Sequence, residues 1–340
     1  MKGSTILREH LARKKLLVKP SAFDALSAKI IEAAGFKIMG ITGYGVSLAL
    51  LGKPDAGFLT LTEMVTLTRY VTGVTRIPVI CDADTGFGNA LNVLRTTEEY
   101  IKAGAAGFHI EDQLAPKRCG HVAGKQLISV EEAVGKIRAA DRVRRELDPD
   151  FLVIARTDAR GAVGGSLDEV IRRGKAYMDA GADMIFPDGL THIDELETCI
   201  REIGAPIHYN MATLGVSFYV PLSRLEEMGV SIVSNPAGLL RAAIKTMWDY
   251  AHGFAKGGTE FMERSDRTFA DHPTEDLHTF AGFAEIRRLE EEFLPKEEVA
   301  EKYAQSIGFK PDPATDRIPS PQRKPRGPRK PSSPTLMKRP

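Results

Sequence analysis

The chain has 340 residues, 43% hydrophobic and 27% charged, with 46 Lys and Arg against 45 Asp and Glu. That size and balance describe one large soluble globular domain or two ordinary ones; no run nears the ~18 apolar residues of a membrane-spanning helix, and the start has no signal-peptide core. Cys81, Cys119 and Cys199, an odd count without paired spacing, argue against a disulfide framework or a four-cysteine zinc site and favour a reducing, cytoplasmic setting.

Short apolar runs recur along the first ~255 residues, at 16–18, 38–41, 79–81, 107–110, 152–155, 184–186, 207–209 and 231–233. Such runs, set between helical stretches, are expected of parallel strands buried on both faces. The stretches 22–34, 62–74, 92–103, 130–147, 167–180 and 238–254 have helical character, and several stop at Ala-Gly or Met-Gly. Eight strand–helix units predict a (β/α)8 barrel over residues 1–260. A doubly wound open sheet is the alternative, but it would carry a glycine fingerprint after its first strand. Here Lys19-Pro-Ser-Ala-Phe-Asp follows, and Gly43-Tyr-Gly45 lacks the third glycine.

Beyond the eighth unit, residues 261–309 read as C-terminal helices, with amphipathic stretches at 285–293 and 297–307, packing on the barrel or on a partner subunit. Residues 310–340 hold nine Lys and Arg, two Asp and nine Pro, a basic tail expected to be disordered. The body is left mildly acidic, so no nucleic-acid partner is expected.

Active sites of such barrels form at the C-terminal strand ends. Thr42-Gly43-Tyr44 follows the second run, Asp82-Ala-Asp84 the third, Glu111-Asp112 the fourth and Arg156-Thr-Asp158 the fifth; Asp188, Asn210 and Asn235 close the last three. Carboxylates packed together repel unless a cation neutralises them, and an all-oxygen set favours Mg²⁺ or Mn²⁺ over Zn²⁺. Capping or pairing with Lys and Arg is the less favoured alternative. Arg156 directly after a buried strand calls for an anion, supplied by a substrate carboxylate or by Asp158 or Glu111 within the chain. The basic segment from Asp112 to Lys125 reads as a lid, and Lys117-Arg118 and His121 beside Cys119 are expected to lower its thiol pKa. Cys81 and Cys199 read as packing residues.

Asp82-Ala-Asp-Thr-Gly-Phe-Gly-Asn89, Ala105-Ala-Gly-Phe-His-Ile-Glu-Asp-Gln113, Lys117-Arg-Cys-Gly-His121 and Ile154-Ala-Arg-Thr-Asp-Ala159, in that order, resemble the isocitrate lyase/phosphoenolpyruvate mutase superfamily from about Pro20 to Phe254. The resemblance is closest to its short members, 2-methylisocitrate lyase, 2,3-dimethylmalate lyase and carboxyphosphonoenolpyruvate phosphonomutase. It implies a TIM barrel whose eighth helix is swapped between subunits of a homotetramer. It implies Mg²⁺ at Asp82 with Asp84, Glu111 and Asp55, the last in Leu51-Gly-Lys-Pro-Asp55. It also implies that Thr42-Gly43-Tyr44 amides and Arg156 hold the keto-acid end of a small carboxylic acid.

On that resemblance the chain is expected to cleave a 2-methylisocitrate- or 2,3-dimethylmalate-like 2-hydroxy acid by retro-aldol chemistry, releasing pyruvate and a carboxylic acid. Cys119 is the general acid, Gly120 and His121 complete the loop motif, and Arg241 and Asn210 resemble substrate-binding groups. Phosphonomutase and oxaloacetate hydrolase or decarboxylase chemistry are the enzymatic alternatives, and a barrel repurposed for binding is the non-enzymatic one. Asp188 stands where family lyases usually carry Glu, Val122 where methylisocitrate lyases carry Arg, and Gly40 where several lyases place an aromatic. The segment after Asn210 matches neither branch. No motif names the base for the substrate hydroxyl; Tyr44 is a stand-in candidate.

Overall fold

The structure, a computed structural model, describes residues 1–212 and 215–315. Eight parallel strands form a barrel: β1 (Leu17–Ala22), β2 (Met39–Ile41), β3 (Val79–Asp82), β4 (Gly107–Glu111), β5 (Leu152–Thr157), β6 (Met184–Pro187), β7 (His208–Asn210) and β8 (Ile232–Asn235). Their order is β6-β5-β4-β3-β2-β1-β8-β7, and a parallel bridge between Ile185 and Ile207 closes the ring. The expected (β/α)8 barrel is the fold, and the open sheet is excluded by that closure.

β1 runs further than its apolar residues suggested. Its pairing continues through Lys19 with Ser234 and Pro20 with Asn235 on β8, then passes to β2 through Ser21 with Gly40. Polar side chains inside the barrel masked a strand that hydrogen bonding on both sides maintains.

The helices around the barrel are α2 (Ala25–Ala33), α4 (Leu61–Val74), α5 (Ala90–Lys102), α6 (Val130–Leu147), α7 (Leu167–Asp179), α8 (Ile193–Ile203) and the short α9 (Leu222–Glu227). Local sequence starts most of them. Thr60 and Glu63 form a reciprocal capping box on α4, and Ser129 and Ser166 cap α6 and α7 above acidic first turns. Two elements escaped the sequence reading. A short helix α3 (Gly43–Val46) leads into a π-helical turn at Ser47–Leu51. An N-terminal helix, α1 (Gly3–Ala12), packs Leu7 into the inner cluster of Leu17, Ile38, Ile80, Leu152 and Ile232. Ser4 and Arg8 bind Asp148 and Asp183, so α1 plugs the N-terminal end of the barrel. The opposite, C-terminal end is left for chemistry.

The chain divides into two units: Met1–Glu32 with Phe36–Lys256, and Ala33–Gly35 with the residues from Gly257 onward. The last helix of the barrel, α10 (Gly238–Arg267), is broken across this division by Gly258 at φ 51°. The second unit contains α11 (Leu277–Ala281), α12 (Phe283–Phe293) and α13 (Lys296–Gln305), the last two being the expected amphipathic helices. Tyr303 donates to Glu290 at 2.6 Å and lies under Arg287. Arg288 donates to the Pro313 carbonyl at 2.7 Å, so the first residues of the expected tail are tied to α12. The remainder of that tail, 316–340, lies outside the described residues. Among those described, no helix is long and apolar enough to cross a membrane.

Candidate active site

The strand ends deliver their polar residues to one cavity of about 290 Å³. Thr42, Tyr44, Asp55, Asp82, Arg156 and Asp188 line it; so do Cys119, Gly120 and His121 from the loop after β4, Asn210 from β7 and Arg241 from α10. Gly43, Asp84 and Glu111 stand behind this lining.

Asp82 is held from several sides. It accepts the Gly43 and Asp84 amides, each at 3.0 Å, and faces His109 Nε2 at 3.3 Å. Burial pushes its carboxyl up, but His109, Lys117 and Arg156 outweigh burial and hold it well below the usual carboxylate range. A Cβ on residue 43 would stand 2.7 Å from Asp82 Oδ2, so glycine permits the amide contact. The expected use of the Thr42 and Gly43 amides is corrected here. Thr42 N–H is committed to the Ala22 carbonyl and Gly43 N–H to Asp82.

Asp55, Asp82, Asp84 and Glu111 face a shared cation, Lys117. Its Nζ lies 2.6 Å from Asp55 and 2.7 Å from Asp84. Burial would lower this lysine; Asp84, Glu111, Asp55 and Asp82 instead raise it well above its ordinary value. Burial lifts Asp84 to about 6, with Lys117 opposing, and lifts Glu111 well above a normal carboxyl, with Arg156 and Lys117 opposing. Both Glu111 carboxylate oxygens are buried without a well-formed hydrogen bond, Oε2 meeting Arg156 only as an ion pair at 3.2 Å. Among the described residues, no three acidic, imidazole or thiol groups stand as a ready metal cage, because the loop lysine sits among the acids expected to form one.

Arg156 is paired within the chain, one of the two readings its sequence position left open. It grips Asp158 with two hydrogen bonds of 3.0 Å, Asp188 at 2.8 Å and Glu111 at 3.2 Å. Arg156 and His121 overcome burial to bring Asp188 down to about 2. Asp188 is short, but Arg156 reaches it, and Asn210 Nδ2 donates to its other oxygen at 3.1 Å. Ser234 donates to Asn210 Oδ1, which orients the amide.

The loop after β4 is folded onto this cluster. Gln113 pins Arg118 through both backbone groups, Lys125 contacts the Gly120 carbonyl and Asp158, and the Cys119 amide donates to the Asp55 carbonyl at 3.1 Å. A Cβ on residue 120 would stand 1.8 Å from Asp188 and 2.3 Å from Arg156, so only glycine allows this approach. The Val216 amide donates to His121 Nδ1, and His121 Nε2 stands 3.3 Å from Asn210 Nδ2 and 3.6 Å from Asp188.

The expected lowering of the Cys119 pKa is overturned. Burial pushes the thiol up, and the His121 backbone hydrogen bond offsets only part of this. The basic neighbours do not help because Lys117 is committed to Asp55 and Asp84, and Arg118 to the Ala123 carbonyl. A thiol that keeps its proton suits an acid better than a nucleophile. Cys81 and Cys199 are buried packing residues, as expected, each pushed up to about 12 by burial.

Sequence reasoning missed Lys19, Ser21 and His109 as cavity residues. The period-two alternation of Lys19 and Ser21 was the available signal, hidden because the apolar run ended at Val18.

The sequence model of the phosphoenolpyruvate phosphomutase family matches residues 7–255. The chain is 44% identical over 249 residues to 2,3-dimethylmalate lyase of Eubacterium barkeri, covering 73% of this chain and 85% of that protein. It is 38% identical over 295 residues to 2-methylisocitrate lyase of Aeropyrum pernix, covering 86% and 93%. A crystal structure of 2,3-dimethylmalate lyase superposes with a TM-score of 0.80 at 31% identity, covering 91% of this chain and 99% of that one.

Proposed function

The chain belongs to the isocitrate lyase/phosphoenolpyruvate mutase superfamily and is a carbon–carbon lyase; from that premise we propose that it cleaves a 2-methylisocitrate- or 2,3-dimethylmalate-like 2-hydroxy acid into pyruvate and a second carboxylic acid. The observation that carries the substrate reading is Cys119, whose thiol burial pushes up, lining the same cavity as Arg156, Asn210 and Arg241.

In such a cleavage the C2 hydroxyl loses its proton, the C2–C3 bond breaks, and its electron pair leaves on the departing acid. Tyr44, which lines the cavity and is exposed to solvent, is the candidate relay: it takes the hydroxyl proton as its own phenolic proton passes to water. Cys119 delivers the proton that quenches the departing carbanion equivalent. The loop that carries Cys119 covers the cavity and limits competing protonation by water. Arg156, preorganised by Asp158 and Asp188, places positive charge beside the developing pyruvate. Arg241 at the cavity edge suits a remote carboxylate.

The donor set also fits a divalent cation. Four carboxylates share one ammonium, and neither buried Glu111 oxygen makes a well-formed hydrogen bond, Arg156 meeting only Oε2 as an ion pair. Asp82, Asp84, Glu111 and Asp55, in part through water, would hold Mg²⁺ or Mn²⁺, with Lys117 displaced. The ion would supply positive charge against the negative charge that develops on substrate oxygen. The reading includes association of copies, supported by Ile244, Met247 and Trp248 standing exposed on α10.

The test is keto-acid release with Mg²⁺ from 2-methylisocitrate, 2,3-dimethylmalate, isocitrate and oxaloacetate. Release of pyruvate from one of the first two, lost in Cys119→Ser and Asp82→Ala, is expected. Turnover of oxaloacetate alone, insensitive to Cys119, would replace the proposal with hydrolase or decarboxylase chemistry. No turnover of any of these acids would refute it.

A further inference from the structure

One charged group of the cavity has no part in the chemistry above. Lys19 projects from β1 into the barrel, is 2% exposed and lines the cavity floor. Among the described residues no carboxylate lies within ion-pair distance of its Nζ. Asp82 attracts it from further off, but that carboxylate already engages the Gly43 and Asp84 amides and His109. Arg156 adds like charge rather than compensation. A buried ammonium in such surroundings is costly unless an anion meets it.

The space around Lys19 is kept open. A Cβ on residue 40 would stand 3.0 Å from Lys19 Nζ and 2.9 Å from Ser21 Oγ, so Gly40 leaves both polar groups room at one spot between β1 and β2. Ser21 also lines the cavity, which makes an ammonium and a hydroxyl available side by side. That pair matches a carboxylate, which accepts from both. An alkyl group placed there would desolvate the ammonium without replacing its water.

We propose that Lys19 and Ser21, with Gly40 clearing the space, form a carboxylate subsite on the cavity floor that selects substrates bearing an additional carboxylate arm in place of an alkyl group. The inference rests on the reading of the cavity as a hydroxy-acid site. It narrows the substrate class to tricarboxylic acids.

Two unreactive acids that differ by one carboxymethyl-for-methyl exchange test it: propane-1,2,3-tricarboxylate and 2-methylsuccinate, titrated calorimetrically into the full chain with Mg²⁺. The wild type is expected to prefer the tricarboxylate by about tenfold or more, the scale of a charged hydrogen bond. Lys19→Met should bring the two affinities within about twofold of each other, chiefly by weakening the tricarboxylate. Gly40→Ala, which crowds the ammonium without removing it, should lower the same preference, and it carries the test if Lys19→Met does not fold. A preference unchanged by either folded variant would overturn the subsite and leave the lyase reading standing. Failure of the wild type to bind either acid would overturn both.

Discussion

Replacing Lys117 by Met removes the one ammonium among four carboxylates while keeping an unbranched stem one atom shorter. The lysine is 4% exposed, and its partners Asp55 and Asp84 are buried at 2.6 and 2.7 Å, so solvent screening offers little relief. Removing one partner of a buried pair costs about 3–5 kcal/mol. At ~2–4 °C per kcal/mol for a domain of this size, the melting temperature in EDTA should fall by about 6–20 °C. A divalent cation bound by the same carboxylates would restore most of this loss, because the variant has no lysine to displace. The wild type should gain less, since its own ammonium competes for those oxygens. Melting at a fixed scan rate, with EDTA and then with Mg²⁺ in excess, measures both terms. The reasoning fails if the variant melts with the wild type in EDTA, or if Mg²⁺ leaves the gap between them unchanged.

Gly120→Ala should reduce keto-acid release by about 100-fold with a smaller effect on melting, because the new methyl meets Asp188 and Arg156 and the loop must stand off. Cys119 should react with iodoacetamide more slowly than a free thiol at pH 8, and its rate should still be rising above that pH, because burial raises the thiol. Asp84, lifted to about 6 from an unfolded value near 3.8, binds its proton more tightly in the folded chain. Its contribution to stability is therefore greatest below the unfolded value and falls as pH rises through that window, which denaturant titrations of wild type and Asp84→Asn in EDTA can compare. Arg173→Leu takes from Asp112 the cation that meets it at 3.1 Å, leaving it the Tyr177 hydroxyl and the Asp158 amide, and should cost about 3–5 kcal/mol by urea unfolding.

The sequence by itself determined the architecture and the polar residues at the strand ends. Apolar runs between capped amphipathic stretches admit few arrangements other than a barrel, since each run needs both faces covered. The residues that end those runs, Asp82, Glu111, Arg156, Asp188 and Asn210, had to meet at one rim once the strands were parallel. The Cys119 loop was recognisable as a motif, and α12 and α13 as amphipathic helices. Which charges pair was decided only by the tertiary structure. Lys117 is an ordinary loop lysine until the loop folds back and seats it between Asp55 and Asp84, residues 62 and 33 positions before it in the chain. The Gly43 amide, the Cys119 thiol and Arg156 all took partners or surroundings that spacing along the chain does not encode. Lys19 lay just beyond an apolar run and became a floor residue because β1 continues between β8 and β2. The division has one physical cause: hydrophobic periodicity is a local property, whereas Coulomb pairing and desolvation depend on distances that exist only after the barrel closes.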